Sequence, residues 1–325
     1  MKKIYGNHKL IKMLEDMVKN NHISHAVLFY GENGIGKKTI AEYYTYLLMC
    51  PNVKDGKPCF NCKTCHNIAD NIHPDIITAE KSGKLGGYSV ETVRKICSDA
   101  FIKPNNSRKK IYIFKDCSHM DERSQNTLLK IIEEPPEYVY FIFTAESKSK
   151  FLPTIISRCM SFGVSPCSEE ECQTALLETE NDVKSVENAV ECFHGNIGMC
   201  KSFINDEKIR ESVNIVKSVT DSIIRKNEYE TLLAMNNLGK EREEIKKSLT
   251  MLDLIIRDAV ILNYDENPVF IGCYPEGSRN LSDIISLNTG NYIHRLIEKA
   301  WHSIGTNVNI TLILSALCSE IFEIL

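Results

Sequence analysis

The segment Gly31-Glu32-Asn33-Gly34-Ile35-Gly36-Lys37-Lys38-Thr39 constrains the fold of this chain more than any other. An apolar run from Ala26 to Tyr30 leads into it and reads as a strand, and Lys37 opens a helix whose apolar residues begin at Ile40. A glycine-rich turn between strand and helix presents backbone N–H groups to phosphates, and its lysine reaches the terminal ones. The next residue should carry the hydroxyl that holds Mg²⁺. Lys38 stands there instead, and Thr39 comes one place late, rotated about 100° around the helix. The turn announces a nucleotide-type α/β core whose metal pole is broken.

With 325 residues the chain exceeds one ordinary core, so two or three domains are expected. Its 43% apolar and 25% charged content is that of a soluble globular protein. No stretch approaches the ~20 apolar residues of a membrane helix, and Met1-Lys2-Lys3-Ile4 lacks a signal peptide's apolar core. A cytoplasmic protein without a membrane partner is expected. A net charge of −4 excludes coating nucleic acid by bulk attraction but leaves room for a local basic strip.

Thirteen cysteines in a reducing compartment argue for metal ligands and buried thiols rather than disulfides. Cys50, Cys59, Cys62 and Cys65 are spaced C-x8-C-x2-C-x2-C, with Gly56 and Pro58 supplying a turn. Two-residue gaps let thiolates converge on one ion, and four soft ligands suit a structural, tetrahedral Zn²⁺. The competing readings are scattered free thiols or an iron–sulfur cluster. An all-cysteine set leaves no open coordination position, which disfavours a zinc-dependent enzyme. Cys97, Cys117 and Cys192 lie in apolar or helical contexts and read as packing residues.

A further α/β pattern runs from Lys110 to Cys159. Ile111 to Phe114 reads as a buried strand ending at Lys115-Asp116, Glu122 to Glu133 as a helix closed by Glu134-Pro135-Pro136, and Val139 to Thr144 as another strand. Strands alternating with helices imply a parallel sheet covered on both faces. The pieces SHAVLFYGENGIGK, NTLLKIIEEPP and ISRC, in this order, resemble the clamp-loader branch of the AAA+ proteins. The four-cysteine insertion after the P-loop helix is also similar to bacterial clamp-loader subunits.

The resemblance implies an AAA+ P-loop domain over 1–163 with a zinc module at 50–65, a helical lid over 164–207, and an all-α collar over 208–325 that joins subunits. It also implies gamma/tau and delta clamp-loader subunits, the sliding clamp and primer-template DNA as partners. Two subunit types fit: a gamma/tau motor that hydrolyses ATP, and a delta-prime subunit that does not. In the motors an Asp-Glu pair follows the strand before the LLK helix, supporting Mg²⁺ and activating water. Lys115 and Asp116 take those places here. The motors' phosphate-sensing arginine, in a Gly-x-x-Arg pattern, is matched by Gly198.

These departures, with Lys38, point to delta-prime, whose degenerate loop (Gly31, Gly34, Gly36, Lys37, Lys38, Thr39, Lys115, Asp116) would not bind ATP and Mg²⁺ productively. Arg158 matches the arginine finger that such subunits present to a neighbour's ATP. The motors typically continue past the collar, whereas this chain stops at Leu325, which also favours delta-prime. Asn307-Val308-Asn309 resembles the lead-in to the last collar helix. For sequence-independent DNA contact the candidates are the helix from Ser89 through Arg94 and Lys95, and the basic turn Lys103 to Lys110.

Overall fold

The computed structural model describes residues 3–83, 86–180, 182–265, 268–306 and 308–325. The chain divides into two compact units, Met1–Cys167 and Ser168–Leu325.

The first unit runs α1 (His8–Lys19), β1 (Ala26–Tyr30), α2 (Lys37–Met49), α3 (Lys63–Ala69), β2 (Ile76–Thr78), α4 (Val90–Asp99), β3 (Lys110–Phe114), α5 (Glu122–Glu133), β4 (Val139–Ala145), α6 (Pro153–Ile156) and β5 (Met160–Gly163). The strands form one sheet in the order β2-β3-β4-β1-β5, every pairing parallel. Because side chains alternate across a strand, each strand feeds two cores. Val27, Phe29, Ile111, Ile113 and Ile142 pack with α2 residues such as Tyr44 and Leu47. Ala26, Leu28, Tyr112, Phe114, Phe141 and Phe143 pack on the other face with Val93, Leu128 and Ile132 of α4 and α5. Burial on both faces is why the strands read as continuous apolar runs.

Lys110 is 4% exposed, pairs with Asp99 at 2.9 Å and donates to the carbonyls of Asp99 and Ile102. Its stem lies in the sheet and its charge ties the end of α4 to β3, so the basic turn available to a ligand stops short of it. That turn is held by Asp75, fully buried, whose carboxylate accepts the backbone N–H groups of Asn105 (2.5 Å) and Asn106 (2.8 Å).

The second unit is all α: α7 (Glu169–Leu177), α8 (Val183–Phe193), α9 (Ile197–Asn205), α10 (Glu207–Ile224), α11 (Glu228–Met235), α12 (Arg242–Leu262), α13 (Pro275–Ser282), α14 (Leu287–Ile304) and α15 (Ile310–Phe322). A capping box opens α7, with Ser168 and Glu171 satisfying each other's backbone N–H. The long helix α12 closes at Leu262, and helix resumes at Pro275. Gly277 lies inside α13, where a Cβ would fall 2.2 Å from the Tyr274 ring. Leu249, Leu252, Ile255, Ile256 and Ala259 of α12 form the centre of a core that also takes Cys192 of α8 and Ile313, Leu314, Leu317 and Ile321 of α15. Asn309 caps α15 through the N–H groups of Thr311 and Leu312, whereas Asn307 lies outside the described residues. Among the described residues no helix is long and apolar enough to cross a membrane.

Candidate functional site

The glycine turn is built as its sequence requires. Gly31, Gly34 and Gly36 take φ of 146°, 88° and 96°, in the region that favours glycine. A Cβ on Gly31 would fall 2.5 Å from the Val164 carbonyl oxygen, whereas one on Gly36 would face open space. The Gly31 N–H donates to the Ala145 carbonyl at 3.2 Å, which fixes the turn at the end of β4. Lys37 folds back into the turn: its Nζ donates to the carbonyls of Gly31 (2.6 Å) and Glu32 (2.5 Å), and the residue is 7% exposed. Burial pulls its pKa down, opposed by the carboxylates of Glu146 and Asp116. Glu146 also accepts from the Asn33 carboxamide.

The residues expected at the metal pole lie together. Lys38, at the second position of α2, and Lys115, just beyond β3, line the same cavity of about 320 Å³ together with Glu42, Asn67 and His73. Both lysines are exposed and neither has an acidic partner among the described residues. Thr39 is half-buried and lies off that lining. Asp116 sits at φ 55°, its N–H donating to Thr144 Oγ1 at 2.8 Å and its carboxylate accepting from Lys81 Nζ at 2.8 Å. Burial alone would raise its pKa, but the Lys81 ammonium outweighs that and the carboxyl sits below its ordinary value. Asp116 is thus already paired, while Glu42 remains on the cavity lining.

Arg158 follows the short helix α6, which opens with Pro153 at a position where proline costs nothing. Its guanidinium donates to Glu133 Oε1 at 2.8 Å from α5 and to the Thr154 carbonyl at 3.0 Å. The side chains are 35% and 54% exposed, and exposed pairs of this kind contribute about 0–1 kcal/mol. A phosphate brought close by another molecule can displace such a partner. Gly198, the other departure, is the second residue of α9 in the second unit.

The four cysteines converge. Their sulfurs all lie within 4.8 Å of one another, with Cys50–Cys59 at 3.5 Å and Cys59–Cys65 at 4.0 Å. Tetrahedral coordination with Zn–S of ~2.3 Å needs sulfurs about 3.8 Å apart, so the set fits a four-thiolate ion and could hold one. Cys50 ends α2, and Cys62 caps α3 by accepting the Cys65 N–H. Between them Gly56 (φ 78°) turns the chain so close to α1 that a Cβ would fall 2.8 Å from the Glu15 carbonyl oxygen. The Asn61 N–H, then the neighbouring thiols, hold Cys59 down to about 6, while burial raises Cys50 and Cys65.

Of the basic candidates, Ser89 caps α4 by accepting the Thr92 N–H, Lys95 pairs with Glu91 at 2.8 Å, and Arg94, Lys103 and Arg108 are exposed. Sequence reading missed Lys81, Glu133, Thr144 and Glu146 as members of the site. Only Glu133, inside the LLKIIEEPP string, carried a signal.

A parallel five-stranded sheet, covered by helices on both faces and carrying a glycine-lysine turn after β1, defines a P-loop-type α/β protein, consistent with the AAA+ arrangement. A sequence profile described as DNA polymerase III, delta subunit, matches residues 6–168, half of the chain, and the chain belongs to this clamp-loader family. The DNA polymerase III subunit gamma of Buchnera aphidicola (from Acyrthosiphon pisum) is 27% identical over 74% of this chain and 73% of its own length. The DNA polymerase III subunit tau/gamma of Haemophilus influenzae is 32% identical over 53% of this chain, which spans only 25% of that protein. A solved DNA polymerase III gamma subunit-related protein from Thermotoga maritima covers 96% of this chain and 98% of its own, at 16% identity and a TM-score of 0.41.

Proposed function

We propose that this chain is a catalytically silent clamp-loader subunit of the delta-prime type. It lends Arg158 to the ATP of a neighbouring motor subunit during loading of the sliding clamp onto primed DNA. The observation that carries this reading is the pair Lys38 and Lys115 facing one cavity: two ammonium groups stand where a hydroxyl and a carboxylate would hold Mg²⁺. A guanidinium supplied in trans stabilises charge on the transferring phosphoryl group, and Arg158 is exposed enough to leave Glu133 for it. Zn²⁺ on Cys50, Cys59, Cys62 and Cys65 would then be structural, pinning the segment between α2 and α3. The helices of 164–207 would serve as lid, and those of 208–325 as the collar through which gamma/tau and delta subunits assemble. DNA would be met through backbone phosphates at the α4 start and at Lys103 and Arg108, without base reading.

One observation favours a second reading, an active motor: the relatives named above are gamma and tau subunits. ATP turnover by the purified chain decides between them. The silent reading expects none above background with Mg²⁺ present. Robust turnover abolished by Lys37→Ala would establish the motor instead.

The collar assignment has its own test. Deleting α15 removes Ile313, Leu314, Leu317 and Ile321 from the core of the second unit, so loss of assembly would be ambiguous by itself. Leu312 is 67% exposed on the same helix. Leu312→Asp should leave helicity and thermal unfolding unchanged yet weaken assembly with other loader subunits by about tenfold or more. Assembly at wild-type affinity would remove α15 from the interface.

A further inference from the structure

Lys38 and Lys115 lie far apart in the sequence, yet they converge on a cavity of about 320 Å³ bounded by α2, the end of α3 and the strands β2 and β3. Besides the two lysines the polar lining is Glu42, Thr45, Asn67, Asn71, His73 and Thr78; the Thr45 hydroxyl donates to the Ala41 carbonyl, and Asn71 and Thr78 are exposed. His73 is spent: its Nδ1 accepts the Asp75 N–H and its Nε2 pairs with Ser107 Oγ, both at 3.2 Å. The Asn67 carboxamide makes no hydrogen bond among the described residues and is half-buried at the cavity. Glu42 is the one carboxylate present. It lies four residues after Lys38 on α2, the weaker orientation for a helical ion pair, and no pair forms. Two unpartnered ammonium groups and a free amide thus outweigh one carboxylate, against a wall that includes Ile68, Ile76 and Ile113. Apolar walls focus the field of such charges and raise their attraction for an anion.

We propose that this cavity is a metal-independent binding site for a phosphate or pyrophosphate group, held by Lys38 and Lys115 and oriented by Asn67. Two lysines repel Mg²⁺, so an anion bound here carries no metal, and its charge is met by ammonium groups instead. The group can come from free pyrophosphate or from the phosphates of a nucleotide. The proposal deepens the reading of this pole as degenerate but does not require that the chain be silent, because binding is read separately from turnover.

Isothermal titration of the full chain with sodium pyrophosphate in EDTA, and separately with ADP in EDTA, tests it. Pyrophosphate should bind without metal, and Lys38→Ala and Lys115→Ala should each weaken it by about tenfold or more. Asn67→Ala should weaken it by less. Both lysines are exposed, so these variants should unfold at the wild-type temperature. ADP binding with the same dependence identifies a nucleotide as the source, and pyrophosphate binding alone identifies the free anion. No binding in EDTA, binding that appears only with Mg²⁺, or loss confined to Lys37→Ala would overturn the proposal, the last by placing the anion in the glycine turn.

Discussion

Cys65→Ser should cost the first unit its metal and much of its stability. The purified wild-type chain should carry one zinc, read by elemental analysis, and the variant close to none. Zinc contributes apparent binding energy of about 10–16 kcal/mol in small modules that are unfolded without it. Here α2 and α3 also pack on a formed sheet through Tyr44, Leu47 and Ile68, so the loss should be a part of that figure, several kcal/mol. It should fall on the first unit alone, because the second has its own core and no share in the cluster. Two thermal transitions, the lower one shifted down in Cys65→Ser and in chelator-treated wild type, are the expected result. Iron and sulfide in place of zinc, or a variant as stable as wild type, would contradict it.

Arg158→Ala carries the other large effect. Among the described residues the guanidinium makes only exposed contacts, to Glu133, Thr154 and Ser157, so its removal should change neither fold nor assembly. An arginine finger in trans is worth on the order of 10³–10⁵ in rate at the phosphoryl group it faces. If, as proposed, one motor site faces this subunit, DNA- and clamp-stimulated ATPase of the assembled loader should fall only in part. Arg158→Lys should not rescue, because a point charge cannot reproduce the bidentate fork. Full activity of the lysine variant would mean that charge alone suffices.

Much of the first unit was legible because its sheet is buried on both faces. Ala26–Tyr30 and Val139–Phe143 are unbroken apolar runs, and Glu122–Glu133 is bounded by the Asp121 cap and by a double proline. The cysteine cluster was legible because close spacing forces convergence. Pairings between distant segments were not. Nothing in the sequence ties Lys81 to Asp116, or Glu146 to the turn, since those contacts depend on how loops at the ends of strands are laid side by side. Lys110 misled for a related reason. It reads as one of a basic run, and only the closeness of α4 to β3 reveals that it is buried and paired with a half-exposed Asp99. In the second unit Gly277 sits inside α13, where the Tyr274 ring leaves no room for a side chain, a contact that nothing in the sequence shows.

The proposed function has this subunit do no chemistry of its own and act through Arg158 on a neighbour. Its most direct test is the rate of clamp loading onto primed DNA by loaders reconstituted with wild-type or Arg158→Ala subunit, at matched assembly and zinc content. Where the motor sites fire in sequence, one crippled site halts the cycle, so loading should fall much further than bulk ATPase. Equal loading rates for the two complexes would reduce Arg158 to the surface partner of Glu133 and contradict the claim.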